Sequence, residues 1–240
     1  MVDKEQIREN LEAARLRIAN ALKQAGRSAE DIGLVVVAKG HPAESVRTLH
    51  ELGVRDLGES YVQEGRTKQG ELATLTGMRW HMIGHVQSRK AEDVAKYFDL
   101  VHTVDTLKLA TRLDRFAAAA GKQLPILLEV NVSGEASKYG WPARDENSFQ
   151  SNLTEIENIL QFPHVRVQGL MSMAPVTRKP EEARPYFART RELREELRTR
   201  FPQGDWSQLS MGMSADFEAA ILEGATLVRI GTAILGPRPS

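Results

Sequence analysis

Leu34-Val35-Val36-Val37-Ala38-Lys39-Gly40-His41-Pro42 is the stretch whose reading decides the fold. Five apolar residues, three of them β-branched valines, read as a strand buried on both faces. Lys39 closes the run. Pro42 stands where a helix starts, and Val46, Leu49 and Leu52 follow at helical spacing. An open dinucleotide-binding sheet carries G-x-G-x-x-G directly after its first strand. Gly40-His41-Pro42 carries no such sequence, so this first strand–helix unit opens a different architecture.

The unit repeats downstream. Strands are predicted at 54–57, 80–83, 100–103, 125–132, 165–170, 206–209 and 226–230. Helical patterns fall at 61–75, 87–97, 106–120, 147–160, 181–200 and 217–222. Eight strand–helix units in a chain of 240 residues match a (β/α)8 TIM barrel, with a doubly wound open sheet as the competing arrangement. Upstream, Ile7, Leu11, Ala14, Ile18 and Leu22 form one apolar stripe with Gly26 as its stop, so residues 1–26 are expected as an extra helix packed on the barrel. No tract divides the chain, and residues 1–240 are expected to form one domain.

Composition narrows the classes. The 32 basic and 32 acidic side chains cancel, which argues against a general nucleic-acid binder. The absence of cysteine excludes disulfides, thiolate metal sites and a Cys nucleophile. There is no signal-like start and no apolar run near the roughly 20 residues of a membrane span. A soluble, cytoplasmic protein without a membrane partner is expected.

In a barrel the C-terminal strand ends converge on the face that carries the site. Here those ends collect Lys39, Gly58-Glu59-Ser60, Gly84-His85, Asp105, Asn131, Met171-Ser172, Ser210-Met211-Gly212-Met213-Ser214 and Gly231-Thr232, while the strand bodies read as apolar. An ammonium beside an apolar core loses pKa, and a neutral amine is the nucleophile that a Schiff base needs. The 210–214 and 231–232 segments follow the last two strands, where barrels often hold phosphate. A Schiff-base lysine and a phosphate site together fit an aldehyde that carries a phosphate, of which pyridoxal 5′-phosphate (PLP) is the common cofactor. Arg229, two residues before Gly231, either points into the barrel at the pyridine nitrogen or makes a surface ion pair. Lys90 and Lys138 read as solvated lysines.

These residues sit in a series of short motifs: Val36-Val37-Ala38-Lys39; Gly58-Glu59-Ser60-Tyr61-Val62-Gln63-Glu64; Trp80-His81-Met82-Ile83-Gly84-His85; His102-Thr103-Val104-Asp105; Ser137-Lys138-Tyr139-Gly140; Gly169-Leu170-Met171; Leu209-Ser210-Met211-Gly212-Met213-Ser214; and Arg229-Ile230-Gly231-Thr232-Ala233-Ile234. In number, order and spacing the chain resembles the pyridoxal phosphate homeostasis protein family, relatives of the alanine racemase N-terminal barrel, over about four-fifths of its length. The resemblance implies a PLP-bearing barrel without established turnover. Lys39 would carry the aldimine, and Ser214, Gly231 and Thr232 would hold the phosphate with Ser210 nearby. Arg229 would face the pyridine nitrogen, and Met211, Asn131 and His81 would line the pocket. It implies a role in vitamin B6 balance, with PLP-dependent apo-enzymes as partners. Ala38, Gly40, Ser60 and Arg89 depart from the family's usual Ser, Thr, Asn and Asn.

Other chemistries have less to stand on. A two-base amino-acid racemase needs a further β-domain, for which ten residues after Ile230 leave no room, and a monomer is expected. His81 and His85 would lie about 13 Å apart along a strand, too far for one metal. No G-x-S-x-G supports a hydrolase. A class I aldolase would place its lysine on a later strand.

Overall fold

The computed structural model describes residues 3–238. The strands are β1 (Gly33–Val37), β2 (Asp56–Glu59), β3 (Arg79–Met82), β4 (Leu100–Val104), β5 (Leu124–Asn131), β6 (Trp141–Pro142), β7 (Val165–Ser172), β8 (Gln208–Ser210) and β9 (Leu227–Ile230). Every pairing is parallel. Eight strands close in the order β1-β2-β3-β4-β5-β7-β8-β9, and β9 returns to β1 with Val36 opposite Ile230. This is the predicted TIM barrel. The open sheet is excluded, because it would have two edge strands, whereas the β4–β5 pairing gives each of these eight a neighbour on both sides.

Two-residue alternation decides what faces the barrel's inside. On β5, Ile126, Leu128 and Val130 join the core beneath the helices, while Leu127 meets Leu100 and Met171 from the two flanking strands on the inner face. The same rule turns Val36 and Ala38 outward and sends Val35, Val37 and Lys39 along the inner face. The strand bodies are not uniformly apolar, contrary to the sequence reading. His81, His102, Glu129 and Arg229 are all buried on inward positions. Barrel interiors are usually filled by branched aliphatic side chains. Here part of that volume is polar.

The outer helices follow their apolar stripes. The helix Leu107–Ala119 buries Leu109, Leu113 and Ala117 and is capped by Thr106, whose Oγ1 accepts the Leu109 N–H at 3.2 Å. The helix Lys4–Gln24 buries Ile7, Leu11, Ala14, Ile18 and Leu22 and packs against the helices Ala43–Glu51, Phe217–Leu222 and Thr232–Leu235.

Three local expectations are corrected. The 147–160 pattern splits into Glu146–Gln150 and Leu153–Leu160, because Asp145 caps a short first segment. The 87–97 helix opens as a 3-10 turn at Ser88–Lys90 before the α-helix Ala91–Tyr97. Strand β6, which the sequence did not suggest, extends the sheet where β4 stops: Trp141 Nε1 donates to the Val104 carbonyl at 3.1 Å.

Candidate functional site

Lys39 follows β1 on its inward face and opens into a cavity of about 550 Å³. Ser60, Tyr61, Met82, Gly84, His85, Thr103, Glu129, Tyr139 and Met173 share its wall. Among the described residues no hydrogen bond or ion pair engages the Lys39 amine. Its pKa is lowered, first by burial and then by the charge of Arg238, against the pull of Glu59 and Glu64. A larger share of this amine is therefore neutral at a given pH than for a lysine in water.

The backbone that presents Lys39 is pinned from outside. Glu59 on β2 points away from the barrel towards the helix Val62–Glu71, which buries Lys68 on its inner face. Lys68 Nζ donates to the Ala38 carbonyl at 2.6 Å and to Glu59 Oε1 and Glu64 Oε1, each at 2.7 Å. All three ammonium protons are used, and one fixes the carbonyl directly before Lys39. Glu64 Oε1 also accepts the Gly40 N–H at 2.5 Å. Burial pushes the Glu59 carboxyl up to about 7 against the pull of Lys68, and its Oε2 has no partner.

The segments picked from sequence for phosphate follow β8 and β9, at the same end of the barrel as Lys39. The β1–β9 register sets Gly231 beside Val37, so close that a Cβ there would meet Val37 Cβ at 3.1 Å. Ser214 Oγ accepts the N–H groups of Gly231 (3.2 Å) and Ala233 (3.3 Å), while Thr232 is exposed beside them. Gly212 shapes this loop. Its φ is +92°, and a Cβ would lie 2.8 Å from Phe217 Cα, so only glycine fits. The Gly231 and Ala233 N–H groups are taken by Ser214, so the Ser214 and Thr232 hydroxyls are the donors available to a phosphate.

Arg229 is not in a surface ion pair. It is buried inside the barrel, where Nη1 donates to Ser210 Oγ at 2.5 Å and Nη2 to the Ser172 carbonyl at 3.0 Å. Burial lowers its pKa to about 10, opposed by Glu129 and Asp216, so it stays cationic at neutral pH. His81 bonds to His102 and Asp56. Met211 is fully buried in the core. The Asn131 amide is occupied by the loop after β5: it donates to the Glu135 and Lys138 carbonyls and accepts from Ser133 and Gly134. Of the residues picked from sequence, Lys39 lines the cavity itself. Ser214, Gly231 and Thr232 gather past the ends of β8 and β9, outside that wall, and Ser210, Arg229 and His81 sit inside the barrel.

The lysines at positions 90 and 138 differ. Lys90 lies in the cavity wall and is exposed. Lys138 is not a freely solvated lysine, because it pairs with Glu135 and donates to the Met173 carbonyl. At the departures from the family pattern, Gly40 has a φ of +73°, and Arg89 bonds Gln87. His81 and His85 do not converge. His85 lies past the strand, pairs with Asp105 at 3.2 Å and stacks on Tyr139 at 3.6 Å. Among the described residues no cluster of three or more potential metal ligands exists, and no helix is long and apolar enough to cross a membrane.

Sequence reasoning passed over Glu129. It is 2% exposed in the cavity wall, and its Oε2 has no hydrogen-bond partner. Burial pushes its carboxyl up to about 7, helped by Asp105 and opposed by Arg229. The sign follows from linkage. Between its unfolded value of about 4.3 and about 7, the folded state holds the proton more tightly, so this contribution to stability falls as pH rises and is gone above about 7. Glu129→Gln is expected to be least perturbed at pH 5 and to gain stability relative to the parent at pH 8. Urea unfolding midpoints at the two pH values measure this, and a parallel fall in both proteins would contradict it.

The residues that could hold PLP fit it on three counts. They supply an unpaired, partly buried amine, hydroxyl donors at the same end of the barrel beside a glycine where a Cβ would crowd Val37, and a cavity of small-ligand size. The family described as alanine racemase, N-terminal domain, matches residues 2–239. A pyridoxal phosphate homeostasis protein of Pseudomonas aeruginosa is 44% identical over 232 residues, covering 97% of this chain and 96% of its own. Its Escherichia coli K12 counterpart is 40% identical over 241 residues, covering 97% of each chain. The solved structure of PipY from Synechococcus elongatus with PLP bound superposes with a TM-score of 0.83 at 35% identity, over 96% of this chain and all of that one. An alanine racemase from Clostridium difficile reaches 0.75 at 18% identity, over 98% of this chain and 60% of its own, which speaks for the fold alone.

Proposed function

The chain belongs to the alanine racemase N-terminal domain family, and from that premise we propose that it binds pyridoxal 5′-phosphate through Lys39 and serves PLP homeostasis without sustained catalytic turnover. One observation carries the reading: a partly buried Lys39 amine with lowered pKa opens into a cavity at the same end of the barrel as Ser214, Gly231 and Thr232. Relatives named for PLP homeostasis align along nearly their whole length, and the PLP-bound PipY shares the fold at 35% identity.

The chemistry asked of the chain is small. The neutral Lys39 nitrogen adds to an aldehyde carbon, a carbon–nitrogen double bond forms, and the aldehyde oxygen leaves as water. Bound PLP supplies that aldehyde and an electron-withdrawing ring. Ser214, Gly231 and Thr232 hold its phosphate. Arg229, cationic and able only to donate, faces the ring nitrogen and disfavours its protonation, which weakens the electron sink that amino-acid chemistry requires. That supports a carrier over an enzyme. PLP-dependent apo-enzymes as recipients, a monomeric state and a cytoplasmic site of action complete the proposal.

The purified protein mixed with PLP is expected to turn yellow, and borohydride is expected to bleach it and fix the cofactor's mass on Lys39. A panel of amino acids added to the loaded protein separates carrier from racemase. Sustained multiple turnover or racemisation would sink the carrier reading.

A further inference from the structure

A chain of hydrogen bonds, buried from Arg229 to His81, crosses the barrel from Arg229 to the opposite rim. Arg229 Nη1 meets Ser210 Oγ at 2.5 Å, Ser210 Oγ meets His102 Nδ1 at 2.8 Å, and His102 Nε2 meets His81 Nδ1 at 2.9 Å. His81 Nε2 then meets Asp56 Oδ1 at 2.9 Å, and Asp56 Oδ2 accepts from Arg79 at 2.6 Å. Arg229 and Ser210 lie towards the C-terminal ends of β9 and β8. Asp56 and Arg79 are the first residues of β2 and β3, at the other end of the barrel.

The two ends fix the direction of every proton. Arg229 can only donate, and the Asp56 carboxylate can only accept. His81 Nε2 must therefore carry a proton for Asp56. With neutral imidazoles, His81 Nδ1 is then an acceptor, so His102 Nε2 must be the donor. That leaves His102 Nδ1 as an acceptor, and the Ser210 hydroxyl gives its single proton to it. The Ser210 lone pairs remain for Arg229. Burial, then His81 and Arg229, hold the His102 pKa well below the ordinary histidine range, consistent with a neutral ring there. An extra proton on His81 would reverse the two links above it. Ser210 Oγ would then face two donors, with no other side-chain partner for its own proton among the described residues.

We propose that this one-way relay orients Arg229 from a distance, with His102 and Asp56 as positioning residues for the cofactor ring. The inference rests on the PLP reading above for its functional half. Its structural half, the order of the protons, stands without any ligand. The relay passes through the barrel rather than around it, so Asp56 acts on the ring site without touching the cavity.

Two measurements test it. Nitrogen NMR of histidine-labelled, PLP-free protein at pH 7 is expected to show His81 and His102 as neutral Nε2–H tautomers. An Nδ1–H tautomer or a doubly protonated ring at either position would overturn the relay. In the loaded protein, His102→Phe is expected to weaken PLP binding about tenfold, the scale of a lost hydrogen bond to a charged group. Asp56→Ala, at the far end of the relay, is expected to weaken PLP binding in the same direction and to move the visible absorbance maximum away from the parent's. His102→Gln, which can both accept and donate, is expected to recover part of the affinity. A merely structural role would lower the unfolding midpoint and leave the PLP dissociation constant and spectrum at the parent values, and that result would overturn the proposal. A parent protein that takes no PLP would defeat the cofactor reading instead, while the tautomer measurement would still decide the relay.

Discussion

Lys39→Ala is expected to stay colourless with PLP and to retain none of the borohydride-fixed mass, while unfolding at a midpoint close to the parent. The loss should be complete because the variant keeps the cavity and the rim donors but has no nucleophile there. Lys39→Arg separates charge from chemistry. It preserves a cation at the end of β1, yet a guanidinium stays protonated and does not add to an aldehyde. Adduct formation by the parent should quicken as pH rises and level off below the range of an ordinary lysine, since burial and Arg238 both favour the neutral amine. If both variants coloured and labelled like the parent, the cofactor would be held elsewhere.

Lys68→Met is expected to cost about 3–5 kcal/mol in unfolding free energy, the range for removing one partner of a buried ion pair. Lys68 and Glu59 are both buried, and the ammonium also ties down Ala38 and Glu64. Without it Glu59 has no counter-charge, and the backbone before Lys39 loses its outside anchor. The double variant Lys68→Met, Glu59→Leu should recover much of the loss, because burying two apolar groups removes the uncompensated charge. Urea unfolding of the three proteins measures both effects. A single-variant loss under about 1 kcal/mol would mean that the pair behaves as a surface bridge.

The fold was legible in the sequence because parallel barrel strands are covered on both faces. They appear as short apolar runs such as 34–38 and 125–128, each followed by a helical stripe. The strand ends were legible too, since Lys39 and Gly231 stand where apolar runs stop. The interior was not. His102 and Ser210 are 108 residues apart, and only closure of the barrel brings them to 2.8 Å. Glu129 looks like a solvent-facing residue in an amphipathic strand, because alternation gives the period of a face but not which side holds water. Lys68 sits in a polar stretch of helix and reads as solvated, yet its turn of the helix faces Glu59. The hint was a polar residue inside an otherwise apolar strand. It marks His102 and Glu129 as candidates without naming their partners.

A sheet that closes on itself offers no row of unpaired amides for another chain to copy. Each of the eight barrel strands has a neighbour on both sides, and the added strand β6 is two residues long and ends in Pro142, which has no N–H to lend. Recognition by strand addition is therefore closed to this molecule, as is growth into fibrils from a native edge. Any enzyme that collects a cofactor from it must dock on loops and helix faces. On the proposed carrier role, the cavity mouth around Lys39 is where such a docking surface and the cargo would coincide.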